Sequence, residues 1–184
     1  MELLDHLRIQ ARANRLANRR LHAAMAPLTR EDFHAPRTSF FPSLAETLNH
    51  LLVVDIYYIA ALHREADMEA QYRRFEPCDS IAELAERQRK SDERLIAYCD
   101  ALIDADAPIE MDRAEGRVQR DRAGHVLAHL FMHQTHHRGQ VHAMLAGTSV
   151  KPPQLDEFLM PSDAPFRAAD MAALGWREEV VYGA

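Results

Sequence analysis

At 184 residues, 47% of them hydrophobic and 27% charged, the chain reads as one soluble globular domain over residues 1–184, long enough to bury a real core. A net charge of −6 argues against nucleic acid as a partner, because duplex binding needs a basic face to displace counterions. Glu2, Asp5 and Arg8 interrupt any secretory signal, no run approaches the roughly eighteen apolar residues of a membrane span, and the expected setting is cytoplasmic. Cys78 and Cys99 form no CxxC pair and read as buried or half-buried reduced thiols.

Leu3, Leu4, Leu7, Ala11, Leu16, Leu21 and Ala24 recur at three-to-four spacing. They predict a first amphipathic helix, with arginines on its outer face, ending near Ala26-Pro27. Pro27 to Phe41 has mixed polarity and no period, and reads as a loop. Pro42-Ser43-Leu44-Ala45-Glu46 is a helix start: Ser43 can cap the first free N–H groups and Glu46 can return the bond. The second helix continues through Leu48, Leu51, Leu52, Ile56, Ile59 and Leu62. It is apolar nearly all round, so it should be central or shared with a partner subunit. His50 and Asp55 are its polar interruptions.

A third helix follows Pro77-Cys78-Asp79-Ser80 and carries Ile81, Leu84, Leu95, Ile96, Tyr98 and Leu102 to about Asp104. Its charged middle, AERQRKSDER, reads as a solvated face. Ile109, Met111 and Val118 flank Ala114-Glu115-Gly116 and predict a two-stranded hairpin. A fourth helix runs from about Asp121 to Leu145 and stops at Gly147. The strap KPPQLDEFLMPSDAP is too apolar at Leu155, Phe158, Leu159 and Met160 to hang free. Ser162 or Asp163 then starts a short helix closing near Gly175-Trp176. The expected fold is all-α: a four-helix bundle with a short β-hairpin before the last long helix and a packed C-terminal extension.

The stretch HQTHHRGQVH, residues 133–142, concentrates the chemistry. Residues four apart share a helix face, so His125, His129, His133 and His137 form a ladder. Val126, Leu130, His133, His137, Gln140 and Met144 also follow the spacing of a buried seam. Two imidazoles on adjacent turns can reach one ion, and a third ligand must come from another helix. His50, two turns inside the apolar second helix, is the candidate. Three imidazoles leave a position open for water or substrate, as catalytic rather than structural sites do. His136 is the alternative to His133. His125 and His129 read as surface or outer-shell residues, His142 as exposed, and His6, His22, His34 and His63 as ordinary hydrogen-bonded histidines.

Residue types exclude two sharper readings. A zinc protease of the H-E-x-x-H kind needs a glutamate where Gln134 stands. A di-iron bundle needs carboxylates on every helix, and no Asp or Glu occurs from Arg122 through Leu155. A bound divalent ion would therefore leave the site cationic and suited to an anionic small molecule, such as a thiolate or carboxylate. Glu46 or Asp55 could still approach from the second helix. Arg138 and Gln140 either orient a substrate or, respectively, ion-pair and hydrogen-bond a ligand histidine. Tyr57 and Tyr58 are candidate acid or orienting groups, or simply pack.

The segments SFFPSLAETLNHLLVVD, HLFMHQTHHRGQVHAML and PPQLDEFLMPSDAPFRAADMAALGW resemble the DinB family of DinB/YfiT-like metalloenzymes over nearly the whole chain. The resemblance implies a four-helix bundle, usually a homodimer, holding a divalent metal, often zinc or nickel, on three histidines. One comes from the second helix and two, four apart, from the last long helix, which here are His50, His133 and His137. Relatives in the wider superfamily imply a thiol-dependent transferase or isomerase using a low-molecular-weight thiol such as mycothiol or bacillithiol. The alternatives are a non-catalytic metal-binding stress-response protein, or a metal-dependent hydrolase with Asp55 or His136 as proton shuttle.

Overall fold

Helix boundaries in the computed structural model, which describes residues 1–183, follow the capping chemistry of the sequence. Four long helices dominate: α1 (Leu3–Met25), α3 (Leu44–Leu62), α5 (Ile81–Ala101) and α6 (Ala123–Leu145), with short α2 (Arg30–His34) and α4 (Met68–Arg73) between them. Ser43 Oγ accepts from the Glu46 N–H at 3.1 Å, and Ser80 Oγ from the Glu83 N–H at 3.2 Å, which fixes the starts of α3 and α5. Glu46 does not bond back to the Ser43 backbone; it receives the Ser43 hydroxyl instead, at 3.2 Å. Helix α2 corrects the loop expected between Pro27 and Phe41. Thr29 and Asp32 form a reciprocal capping box, and Phe33 is buried beneath it.

Strands β1 (Pro108–Arg113) and β2 (Arg117–Arg122) pair antiparallel, with Pro108 opposite Arg122 and Arg113 opposite Arg117. The turn between them bends through left-handed backbone at Glu115 (φ 64°) and Gly116 (φ 70°), where glycine is the unstrained residue. Alternation along β1 turns Ile109 and Met111 into the core, and Arg113 follows in the same register. The hairpin meets α3, α4 and α6.

The bundle interior is stratified. At the hairpin end, Leu7, Ala11, Leu62, Leu95, Leu127 and Leu130 belong to one apolar cluster. At the other end, Leu21, Leu44, Leu48, Leu52, Leu84 and Val141 belong to a second. Between these positions every long helix contributes buried polar side chains: Asn14 and Asn18, Asp55, Gln88 and Asp92, and Gln134 and Arg138. Two sequence expectations are corrected here. Of AERQRKSDER, Gln88, Ser91 and Asp92 point inward, because they lie in line with buried Leu84 and Leu95 on one face of α5. The α1 arginines are not an open outer face either. Arg15 is buried, and Arg19 and Arg20 are tied down by the C-terminal segment.

That segment runs without regular structure to Met160, then through a 3-10 turn (Pro161–Asp163) into α7 (Ala164–Leu174) and α8 (Glu178–Tyr182), the latter beyond the expected end. Arg20 donates to Asp170 at 2.6 Å, to Glu157 at 3.0 Å and to the Gln154 carbonyl at 3.0 Å. Leu16, Phe158, Met171 and Val181 form a third apolar cluster beneath the strap. Helix α3 is covered by α2, α4, α5, α6 and β1 of the same chain. Its all-round apolar surface therefore needs no partner subunit to explain it. Among the described residues no helix is long and apolar enough to cross a membrane.

Candidate metal centre

His50, His133 and His137 converge between α3 and α6, and their potential ligand atoms all lie within 4.8 Å of one another. The i, i+4 spacing puts the His133 and His137 rings 4.4 Å apart, and the His50 ring stands 5.2 and 4.8 Å from them. His50 Nε2 and His133 Nε2 face each other at 3.2 Å. For metal–nitrogen bonds of about 2.0–2.1 Å, tetrahedral geometry separates two ligand nitrogens by about 3.3 Å. The donor set and spacing thus suit one small divalent ion, and the three-histidine group could hold a metal.

Electrostatics favour the same state. Burial, together with the neighbouring imidazoles, pushes His133 down to about 3. Burial also lowers His50 and His137. All three are neutral at pH 7, the form in which an imidazole nitrogen ligates. His137 Nδ1 meets Gln140 Oε1 at 2.8 Å, so it carries the proton and leaves the Nε2 lone pair free. Gln140 is thus hydrogen-bonded to a histidine of the convergent group. His133 Nδ1 is buried with no protein partner among the described residues. Phe41 lies against the group, 4.4 Å from the His50 ring and 5.8 Å from that of His137.

The other histidines separate cleanly from this group. His136 is exposed and meets Gln140 Nε2 at 3.2 Å, outside the convergent set. His142, expected to be exposed, is half-buried with its Nε2 3.0 Å from the Pro153 carbonyl. His129 lines a cleft of about 420 Å³ that also reaches His133, Tyr57 and Tyr58. The tyrosines are anchored by the hairpin: Tyr57 donates to the Asp112 carbonyl at 2.5 Å, and Tyr58 accepts from Arg113 at 3.2 Å. Phe41 beside the imidazoles, and Tyr72, Arg73 and Arg113 on the cleft wall, are among the residues that the sequence reading missed. The alternation Ile109, Met111, Arg113 was the available signal for the last of these.

Asp55, Gln134 and Arg138 lie elsewhere. Asp55 Oδ2 accepts from Gln88 at 2.8 Å and from Gln134, and both Asp55 and Gln134 are buried. Arg138 donates to Asn14, to Asn18 at 3.1 Å and to Gln134 at 3.0 Å. Neither Asp55 nor Arg138 lines the cleft. Glu46 remains an exposed capping residue outside the convergent group. Burial drives Asp55 well above the usual carboxylate range and Asp92 up to about 6, while it lowers Arg138 to about 10.

The chain is 24% identical over 134 residues to "Protein DinB" of Bacillus subtilis (strain 168), covering 70% of this chain and 78% of the relative. The sequence profile of the DinB family matches residues 5–170. That match takes in α1 from its third residue, the other three long helices, the hairpin and all three convergent histidines, and the chain belongs to the DinB family.

Proposed function

We propose that this protein is a divalent-metal enzyme that uses a low-molecular-weight thiol in a group-transfer or isomerisation reaction. One observation carries the reading: three neutral imidazoles, with no carboxylate among them, converge beside a tyrosine-lined cleft. His50, His133 and His137 would hold the ion, and imidazole ligands suit zinc or nickel. Bound there, the ion would supply Lewis acidity that stabilises a thiolate at neutral pH and leaves an open position for it. The cationic centre matches an anionic ligand.

The chain's own residues would do the rest. Gln140 fixes the His137 tautomer through its 2.8 Å contact, and Phe41 shields the imidazoles from water. His129, on the cleft wall beside Tyr58, is the unligated imidazole available to take the thiol proton. Tyr57 and Tyr58 line the substrate's path. Hydrolysis is the weaker reading, because the proposed shuttle Asp55 is sealed among Gln88 and Gln134. Homodimer formation rests on the family likeness alone.

The test is a cobalt-substituted protein titrated with thiols. A thiolate-to-metal absorption band, with thiol-dependent consumption of an electrophilic acceptor, is expected. Cleavage of activated esters with no dependence on thiol would overturn the proposal.

A further inference from the structure

The hairpin presents to the cleft a guanidinium that forms no ion pair among the described residues, with Asp121 the carboxylate that acts on it from a distance. Arg113 is the third inward residue of β1 after Ile109 and Met111, so strand register alone delivers it towards α3. Its Nε donates to Gln119 Oε1 at 3.0 Å and its Nη2 to Tyr58 Oη at 3.2 Å. Among the described residues its Nη1 makes no hydrogen bond and no carboxylate lies within ion-pair distance of it. The other cation on the cleft wall, Arg73, is already paired with Glu69 at 2.5 Å. Asp112, like Glu69, lines the cleft; it follows the opposite strand register, and its backbone carbonyl accepts from Tyr57.

From Arg113 an aromatic wall leads to the three histidines. The guanidinium carbon lies 5.1 Å from the Tyr57 ring and 5.5 Å from the Tyr58 ring. Tyr58 meets His129 at 5.1 Å, and His129 meets His133 at 6.1 Å. Tyr72 closes the opposite side, 5.9 Å from Tyr57 and 45% exposed, so its ring faces open space. A cleft of about 420 Å³ with flat aromatic walls, one guanidinium outside any ion pair and a group of convergent histidines is a site for a small organic ion.

We propose that Arg113 anchors the carboxylate of a small substrate whose aromatic or conjugated body stacks along Tyr57, Tyr58 and Tyr72, directing its far end to the three-histidine group. This names the acceptor class for the reaction proposed above and rests on that reading. The guanidinium fork matches a carboxylate bidentately, whereas a neutral amide of the same shape leaves its charge unmatched. Tyr58 acts here as a positioning residue, holding the fork through its hydroxyl.

The experiment is calorimetric titration of zinc-loaded protein with 3-phenylpropionate and with 3-phenylpropionamide. The acid is expected to bind at least tenfold more tightly than the amide. Arg113→Met should abolish that preference while zinc stoichiometry and melting temperature are retained, and Tyr58→Phe should reduce it a few-fold. Arg113→Lys keeps the charge without the fork and should retain a smaller preference, which serves as the control if the methionine variant does not fold. Equal binding of acid and amide by the wild type overturns the proposal. So does a preference that survives Arg113→Met but disappears in His137→Ala, since the carboxylate would then be bound to the ion. An acid preference that depends on Arg113 in a protein taking up no zinc would support the anchor and sink the metal reading, so the two failures are distinguishable.

Discussion

Helix α6 carries two polar i, i+4 pairs offset by a single residue, and they have opposite characters. His133 and His137 join His50 beside an open cleft, with neutral rings whose nitrogens converge. Gln134 and Arg138 join Asn14, Asn18, Asp55, Gln88 and Asp92 in a sealed layer across the bundle. In that layer two carboxylates face the charges of Arg138 and Arg15, and most polar atoms are paired, Asp55 Oδ1 and Asp92 Oδ2 having no hydrogen-bond partner among the described residues. The first cluster brings ring nitrogens together with no side-chain cation among them, which is what a metal ion completes. The second already contains its own cation. Polar residues at core positions are thus not interchangeable evidence for a site: convergent ring nitrogens beside an open cleft, with no side-chain cation among them, are the distinguishing property.

The largest expected effect breaks the sealed layer. Arg138→Met removes the guanidinium that faces Asp55 and Asp92, and loss of one partner from such a buried ionic group costs about 3–5 kcal/mol. Urea unfolding measures this, and metal uptake by the folded fraction should not change. A variant of unaltered stability that lost its metal would erase the distinction between the two clusters.

Acidification sharpens the comparison. His22 is buried beside this layer, and burial with the nearby Arg15 and Arg138 holds it down at about 3. Because its folded value lies below the unfolded value of about 6.5, its contribution is complete above pH 6.5 and is lost as pH falls towards 3. The loss is at most about 1.4 kcal/mol per pH unit. Asp92, raised to about 6 by burial, has the opposite sign: its protonation favours the folded state as pH falls from 6 towards 4. Urea unfolding at pH 7 and 4.5 should show His22→Leu flattening the decline and Asp92→Asn steepening it.

A smaller effect concerns the open cluster. Gln140→Leu leaves the three nitrogens in position but releases the His137 ring. Metal affinity measured by chelator competition should fall about 10–100-fold. The smallest is Ser43→Ala, which removes the α3 cap about two turns before His50 and costs about 1 kcal/mol in thermal unfolding, with metal affinity retained.

The sequence made the long helices and the histidine seam legible because periodicity and capping are local signals. His50 and Asp55 show why the remainder was harder to read. Both interrupt the same apolar helix, and only the facing residues separate a ligand from a network carboxylate. For Asp55 the decisive partner, Gln88, sits in a stretch whose abundant charges mask the buried line Leu84, Gln88, Ser91 and Leu95. Arg138 was ambiguous for the same reason, since its partners Asn14 and Asn18 lie on α1, far away in sequence. Helix α2 was overlooked although Thr29 and Asp32 carry its capping box, because its five residues are too few to establish a period.

The central claim is that the histidine group, not the sealed layer, holds a metal. Metal content by mass spectrometry, after zinc loading and desalting, tests it on the wild type and on His50→Ala, His133→Ala, His137→Ala, His136→Ala and Asp55→Asn. One ion per chain is predicted for the wild type and for the last two variants, with loss in each of the first three. Stoichiometric zinc retained by all three of those alanine variants, or no zinc in the wild type, would contradict the account.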